Sequence, residues 1–427
     1  MEVLDRKIAP KFNQVETINF LQTKQTRLDN GIEVNYINGG SQEIIKIDFI
    51  FNAGNWYNPK PLVASTTNKL LKEGTKNYSA FEIADGIDQY GAFLEVENRF
   101  DNSCITLYTL SKHLKSVLPF VKEVVLYPAF SKNEFDIYIT NAFEKFKIDQ
   151  EKVSFLARNQ FNSSLFGNDF PYGKVATEDS YKDLTLNDIK EFHSKFYQLA
   201  NCKILISGNV TETIINELNN FFGHEHIKTL SFTSNIFNIP KNSKQNIHIE
   251  KENALQSAIR IGKLVPNKLH PDYFGLKVLN TVLGGYFGSR LMQNIREDKG
   301  YTYGIGSGIV SMKNAGYFFI STEVGSNVTK DALKEIYFEL ERLQSEEISK
   351  NELDLVKNYM LGQFLDSCDG AFKMANLFES ADEYGLNFDF YNQYIHTIKN
   401  ITPKTLLELG VKYFNQNDLL EVVAGKL

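Results

Sequence analysis

The sequence has few cysteines and no long apolar run, and each shortage excludes a class of protein. Cys104, Cys202 and Cys368 are the only cysteines among 427 residues, and they are far apart with no CxxC pair. This spacing excludes a disulfide-stapled fold and a cysteine-rich zinc site, and it favours reduced thiols. No uncharged apolar run approaches the roughly 18 residues that a membrane helix needs, so no membrane span is predicted.

Positive charge is not concentrated in any part of the chain. The formal net charge is -6, and lysine and arginine are interspersed with acidic residues without forming a basic stripe. A nucleic-acid or anionic-membrane partner would need such a stripe, so neither partner is expected. The N-terminus is charged at Glu2, Asp5, Arg6 and Lys7 and lacks an apolar core, so no signal peptide is predicted. The expected location is the cytoplasm; the periplasm stays open if a leader has been removed.

Internal repetition is the main organisational feature of the chain. Residues 130–136 (FSKNEFD) recur as residues 348–354 (ISKNELD), 218 positions later. Both copies place Ser-x-x-Glu before an apolar run, the pattern of a capped helix start. Two further matches keep this order: residues 184–210 with 401–427 at an offset of 217, and the segment after Gly91 with that after Gly300 at 209. A duplicated unit of roughly 210 residues is therefore predicted.

Each unit is predicted to be an α+β domain, because period-two and helical apolar patterns alternate along it. The predicted division is an N-terminal domain at 1–222, a polar linker at 223–250 and a C-terminal domain at 251–427. Ser79 starts one predicted helix, with Phe81, Ala84, Ile87 and Tyr90 on its buried side. In the first unit, strands are predicted at 32–38, 44–51, 92–96, 103–107 and 203–207, and helices at 62–73, 80–90, 114–127, 132–149 and 186–197.

Residues 284–308 (GGYFGSRLMQNIREDKGYTYGIGSG) contain the strongest candidate site. Apolar spacing predicts a helix over 289–299, and alternation after Gly300 predicts a strand that includes Tyr303. Arg296 and Tyr303 would then flank one tight turn. A permanent cation and a phenol donor suit a carbonyl oxygen that becomes negative during acyl transfer. The structural alternative is an arginine that favours the helix dipole and a tyrosine in the core.

Two other patterns give weaker candidates. The glycines at 304, 306 and 308 lack GxGxxG spacing and a following helix start, so nucleotide binding is not predicted. His224 and His226 form a pair within the linker, but no third ligand is near in sequence. Such a pair is more often solvated than metal-bound.

Together with the duplication and the Arg296/Tyr303 pair, residues 53–57 (AGNWY) and 73–76 (EGTK) resemble the pitrilysin/insulinase family of zinc peptidases. The resemblance implies two homologous α/β-sandwich domains. In active members, a helix between these two landmarks has the motif His-x-x-Glu-His, which binds zinc and activates water. The corresponding positions in this sequence are Ser65, Asn68 and Lys69.

These three residues cannot replace the motif chemically. Ser65 offers a neutral hydroxyl, Lys69 is an ammonium ion that repels a dication, and Asn68 has no oxygen basic enough to deprotonate water. Glu144 lies close to the position of the family's third ligand, although a solvated glutamate is the simpler interpretation. We expect no catalytic zinc in this chain.

The resemblance implies a role in a two-chain peptidase. The chain would be the subunit without zinc, inactive alone, and a homologous subunit with an HxxEH motif would contribute the metal. Arg296 and Tyr303 would bind the peptide substrate, while Ile87 and Leu94 occupy the matching positions of the first unit. One alternative is a non-proteolytic scaffold or peptide-binding protein of the same fold. Another, weaker alternative is a hydrolase with Ser65 as nucleophile and Lys69 as base.

Overall fold

The computed structural model describes residues 18–227, 237–241 and 243–427, and its strands form two mixed sheets. The first sheet contains β1 (Thr23–Arg27), β2 (Glu33–Asn38), β3 (Ile44–Phe51), β4 (Phe93–Asn98), β5 (Ser103–Leu110) and β6 (Cys202–Gly208). The second contains β7 (Gln245–Glu250), β8 (Gln256–Leu264), β9 (Ile305–Met312), β10 (Ala315–Gly325) and β11 (Leu420–Gly425).

Helices cover both sheets. In the first half they are α1 (Val63–Leu70), α2 (Ala80–Asp88), α3 (Leu114–Leu126), α4 (Lys132–Gln150), α5 (Val153–Phe166), α6 (Glu178–Lys182), α7 (Leu186–Phe196) and α8 (Glu212–Leu218). In the second half they are α9 (Tyr273–Gly284), α10 (Thr329–Ser345), α11 (Lys350–Ser367), α12 (Gly370–Asp382), α13 (Asp389–Asn400) and α14 (Pro403–Tyr413). No helix in these ranges is long and apolar enough to cross a membrane.

The strand orders confirm the duplication. The first sheet runs β1-β2-β6-β3-β5-β4, and the second runs β7-β11-β8-β10-β9. Without β1, the two orders correspond strand for strand, and each sheet has one parallel pair, β2 with β6 and β7 with β11. The repeated helix starts also match, since the Ser131 and Ser349 side chains each accept a hydrogen bond from the backbone of the glutamate three residues later, at 3.2 Å. The predicted α+β class with two homologous domains is confirmed.

Each sheet is covered on one face by its own half and on the other face by a helix of the opposite half. α5 of the first half lies on the second sheet, where Phe161 packs in a cluster with Val422 and Tyr317. α12 of the second half lies on the first sheet, where Ala375 clusters with Ile37 and Leu205. The two exchanged helices begin 217 residues apart, at Val153 and Gly370. The halves are therefore interlocked in space.

The two exchanged contacts differ in chemistry. The α5 contact is mostly apolar, whereas polar pairs join α12 to the first sheet. Lys46 Nζ donates to Asn376 Oδ1 at 2.9 Å, and Arg99 Nη1 lies 2.6 Å from Glu379 Oε1. We call this contact between the first sheet and α12, with its flanking loops, the polar seam.

The predicted division at residues 222 and 250 stays a prediction, and the structure adds one boundary. β7 lies inside the segment predicted as linker and pairs with β11 over its whole length. The second sheet therefore begins at Gln245. The remainder of the predicted linker lies partly outside the described residues, which omit 228–236 and 242. All three cysteines are free and buried, in agreement with the predicted reduced thiols.

Candidate functional site

Arg296 lies on a helix with widened turns. The helix begins at Arg290, and its segment Met292–Asp298 is a π-helix. The backbone N–H of Lys299 donates to the carbonyl of Asn294, five residues back, at 3.0 Å. The predicted helix over 289–299 is thus present, but with a different hydrogen-bond pattern. Widened turns of this kind are rare and occur often at functional sites.

Buried polar contacts hold this helix against its neighbours. Arg290 is nearly buried and makes a bidentate pair with Glu352 of α11, at 2.8 and 2.9 Å. Asn294 donates to Glu335 and Glu339 of α10, at 3.1 and 2.8 Å. These contacts fix the position of the helix on which Arg296 lies.

Tyr303 precedes its strand, so the prediction that it lies within a strand is wrong. β9 begins at Ile305, two residues later. Gly91 and Gly300 both adopt left-handed backbone geometry, with φ of +61° and +66°. The first buried strand residue follows Gly91 by three positions, at Leu94, but follows Gly300 by five positions, at Ile305. The second half therefore has two extra residues here, and Ile305, not Tyr303, is the counterpart of Leu94.

The structure brings Arg296 and Tyr303 together through the backbone. Nε of Arg296 donates to the carbonyl oxygen of Tyr303 at 2.9 Å, and Nη1 contacts Glu297. Nη2 has no hydrogen bond among the described residues. The Tyr303 side chain is 95% exposed and points its phenol away from the core. The Nη2 amino group and the phenol are thus both available, on two residues that are joined through the Tyr303 backbone.

Two threonines hold the loop that contains Tyr303. Thr302 Oγ1 donates to the carbonyl of Glu323 on β10 at 2.7 Å and accepts from the N–H of Gly304 at 3.1 Å. Thr322 Oγ1 lies 2.9 Å from the Gly304 carbonyl and 3.0 Å from Thr302 Oγ1. The exposed phenol therefore extends from an anchored backbone.

The predicted zinc-motif positions lie on α1 but do not form a ligand set. Ser65 Oγ donates to the Leu62 carbonyl at 3.1 Å. Asn68 is fully buried, and its Nδ2 donates to the Tyr197 hydroxyl at 3.3 Å. Lys69 is exposed, and no hydrogen bond joins it to Ser65. These residues do not fit zinc, and the geometry gives no support to a Ser65/Lys69 nucleophile and base.

Glu144, the candidate third ligand, is exposed on α4 and pairs with Lys147 at 2.6 Å. Nowhere in the described ranges do three or more His, Cys, Asp or Glu side chains form a group that could hold a metal ion. His224 lies 3.9 Å from Asp29, on the surface.

Several residues that shape the site were not predicted from the sequence. Phe287 places its ring 4.8 Å from the Arg296 guanidinium carbon. Arg290 and Thr302 position the helix and the loop on either side of the pair. The local sequence GGYFG, with two large aromatic residues between glycines, was the available signal for Phe287.

The fold is the duplicated α+β arrangement that the resemblance implied, and its second half has a half-buried arginine in contact with the backbone of an exposed tyrosine. Comparison with known families agrees. Residues 36–168 match the model described as insulinase (peptidase family M16), and residues 183–360 match the model described as peptidase M16 inactive domain. Together the two matches cover most of the chain. The chain belongs to peptidase family M16.

Relatives and solved structures of this family resemble the chain over most of its length. "Zinc protease PqqE" of Helicobacter pylori is 23% identical over 95% of this chain and 90% of its own. "Non-peptidase homolog YmxG" of the same species is 24% identical over 84% and 83%. The crystal structure of a peptidase M16 inactive domain from Pseudomonas fluorescens has a TM-score of 0.85, with 23% identity over 95% of this chain and 99% of that one. A protease structure from H. pylori has a TM-score of 0.88, with 20% identity over 95% and 100%.

Proposed function

We propose that this chain is the non-zinc-binding subunit of a heterodimeric zinc metallopeptidase. One observation supports this most directly: the half-buried Arg296 is bonded to the backbone of Tyr303, whose side chain is exposed. Ser65, Asn68 and Lys69, by contrast, provide no zinc ligand set. The partner would be a homologous subunit with an HxxEH motif, which supplies the zinc and the attacking water.

Each of the two side chains has a distinct role in this proposal. The Tyr303 phenol donates a hydrogen bond to the oxyanion that forms at the scissile carbonyl. The free Nη2 of Arg296 donates to a neighbouring carbonyl of the substrate, while its Nε stays on the Tyr303 backbone. A donor fixed before the reaction lowers the barrier because it need not reorganise as charge develops, and Arg296 is held in this way by its contact with the Tyr303 backbone.

The names of the relatives support both a chain without a metal of its own and a zinc protease. The H. pylori relative named non-peptidase homolog covers most of this chain, as do several relatives named zinc protease. A non-proteolytic scaffold or peptide-binding protein is the second candidate, and the name of the non-peptidase relative favours it. The two functions differ in whether the Arg296/Tyr303 pair matters to hydrolysis.

Reconstitution with an HxxEH subunit tests the proposal. Neither chain alone should cleave a quenched peptide, whereas their mixture should cleave it in a chelator-sensitive way. Tyr303→Phe should lower kcat by about two to three orders of magnitude, the typical effect of losing one oxyanion donor. Assembly, followed by size-exclusion chromatography, should be unchanged.

Tyr127→Phe is the matched control, because Tyr127 is also exposed but lies in the first half and bonds to Glu225. It should leave turnover unchanged. Full turnover in Tyr303→Phe would remove the phenol from the mechanism. Assembly without hydrolysis would support the scaffold function instead.

A further inference from the structure

Phe287 is an exposed aromatic residue in direct contact with Arg296, one member of the proposed substrate-binding pair. Its side chain is 65% exposed, at a surface turn where polar residues are more usual. Its ring lies 4.8 Å from the Arg296 guanidinium carbon, a distance at which a cation and an aromatic face attract each other. The ring therefore borders the guanidinium group on one side and solvent on the other.

The turn that presents Phe287 is tightly built. A Cβ on Gly285 would lie 2.6 Å from the Thr281 backbone, so this position requires glycine, and a Cβ on Gly288 would lie 2.8 Å from the Tyr286 ring, which would have to move. The N–H of Ser289 donates to the Tyr286 carbonyl at 3.1 Å. Phe287 is thus part of a turn that requires glycine at position 285 and has little free space at position 288.

A second aromatic contact fixes the turn to α11. The rings of Tyr286 and Tyr359 lie 4.8 Å apart, and Tyr359 is itself partly exposed. Leu355, one helical turn before Tyr359, is also exposed. The helix to which the turn is fixed thus has exposed apolar side chains of its own.

We infer that Phe287 forms a specificity wall that selects a large apolar side chain of the substrate, next to the carbonyl that Arg296 binds. This inference rests on the proposed function. A side chain begins two bonds from the carbonyl carbon of its own residue. If Arg296 binds that oxygen at about 2.9 Å, the adjoining side chain lies within reach of the Phe287 ring. An extended peptide with leucine, methionine or an aromatic residue there would cover the ring.

The test uses quenched peptides in which leucine is replaced by asparagine at each position flanking the scissile bond. Hydrolysis is measured with the reconstituted pair, and binding of the same fluorescent peptides to the isolated chain is measured by anisotropy. At one flanking position, the wild-type chain should prefer leucine by about tenfold or more in kcat/KM. Phe287→Ala should reduce this ratio to near one, and Phe287→Leu should retain most of it.

Phe81→Ala is the matched control, because Phe81 is 77% exposed on α2 of the first half. It should keep the wild-type ratio. Hydrolysis with an unchanged ratio in Phe287→Ala would overturn the inference while leaving the proposed function intact. If Phe287→Ala instead weakened assembly of the two chains without changing the ratio, the ring would be a subunit contact, which also overturns the inference.

The binding measurement distinguishes the inference about Phe287 from the proposed function of the chain. Selective, Phe287-dependent binding without hydrolysis in the mixture would support the inference and overturn the proposed function. Absence of both hydrolysis and peptide binding would overturn both.

Discussion

Asn68, which the family resemblance matches to the general base of active members, is a core residue in the structure. Its side chain is 0% exposed, and its Oδ1 atom is buried without a hydrogen-bond partner. Burial raises the pKa of the neighbouring Tyr197 hydroxyl to about 12, so that hydroxyl remains neutral near pH 7. Asn68 thus belongs to the packed interior of the protein. The identity of the residue in the sequence does not reveal this burial.

Asn68→Asp should therefore destabilise the protein in a pH-dependent way. Burial raises the pKa of an introduced carboxyl group above its unfolded value of about 3.9, because the charged form is poorly solvated. The stability of the variant should be nearest to wild type around pH 4. It should fall as pH rises, with a loss of about 2–4 kcal/mol at pH 7.

Urea unfolding at pH 4 and pH 7 measures this effect. Asn133→Asp serves as control, since Asn133 is exposed in the first turn of α4 and should tolerate a negative charge. Equal stability of Asn68→Asp and wild type at pH 7 would show that the site is solvated.

At the scale of elements, sequence patterns located most of the first half well. The predicted bounds of β3 agree with the structure, and those of β2 differ by one residue. The buried side of α2 was predicted only in part: Ile87 is buried as expected, whereas Phe81 and Ala84 are exposed and Ile83 is buried instead. The three-residue spacing of Phe81, Ala84 and Ile87 misled the prediction, because the buried face follows the four-residue spacing of Ile83 and Ile87.

α5 was not predicted, although its sequence contained a signal. Ala157, Phe161 and Leu165 recur every four residues, which is typical of one helical face. The sequence pattern did not predict which sheet α5 covers, because that sheet belongs to the opposite half of the chain. Local periodicity can reveal an apolar face but not its distant partner. The spacing of Arg296 and Tyr303 was likewise visible, whereas their backbone contact depended on a two-residue insertion.

Arg290→Lys should loosen the helix that positions Arg296. Lysine cannot reproduce the bidentate contact with Glu352, and the arginine is nearly buried. We expect a loss of about 1–3 kcal/mol in unfolding free energy. Turnover of the reconstituted pair should also fall, even though Arg290 does not contact substrate.

Chemical denaturation and peptide hydrolysis together check this prediction. Arg27→Lys, at an exposed position on β1, should change neither quantity. Wild-type stability in Arg290→Lys would contradict an anchoring role for the pair.

At the scale of the whole molecule, the polar seam is the contact most sensitive to conditions. Glu383, directly after α12, accepts a hydrogen bond from Asn102 of the first half at 3.1 Å. Burial first, and then the charge of Asp101, raises the pKa of Glu383 to about 7. Burial likewise raises the pKa values of Asp101 and Glu379. The charged groups that act on Glu383 from surrounding elements are Asp101, Lys268, Glu379 and Arg99.

The seam should be more stable in mild acid. A carboxyl group whose pKa is higher in the folded state binds its proton more tightly there, so folding is favoured at low pH. The contribution is fully present below about pH 4.5 and is lost as pH rises through about 7. Its size should be of order 1–3 kcal/mol.

Glu383→Gln should flatten the dependence of unfolding free energy on pH between 5 and 8, measured by denaturant titration. Glu144→Gln is the control, because Glu144 is exposed and lies far from the seam in sequence. A slope in Glu383→Gln equal to that of the wild type would exclude Glu383 as the titrating group.

The exchange of α5 and α12 has a consequence for how such a chain could arise and be divided. A polypeptide with only one half would expose one apolar face of its sheet to solvent, because the helix that covers this face belongs to the other half. A protein with a single repeat would thus need a second copy of itself to fold, because the helix of each copy would have to cover the sheet of the other. Two halves produced as separate chains should therefore be soluble only when they are made together.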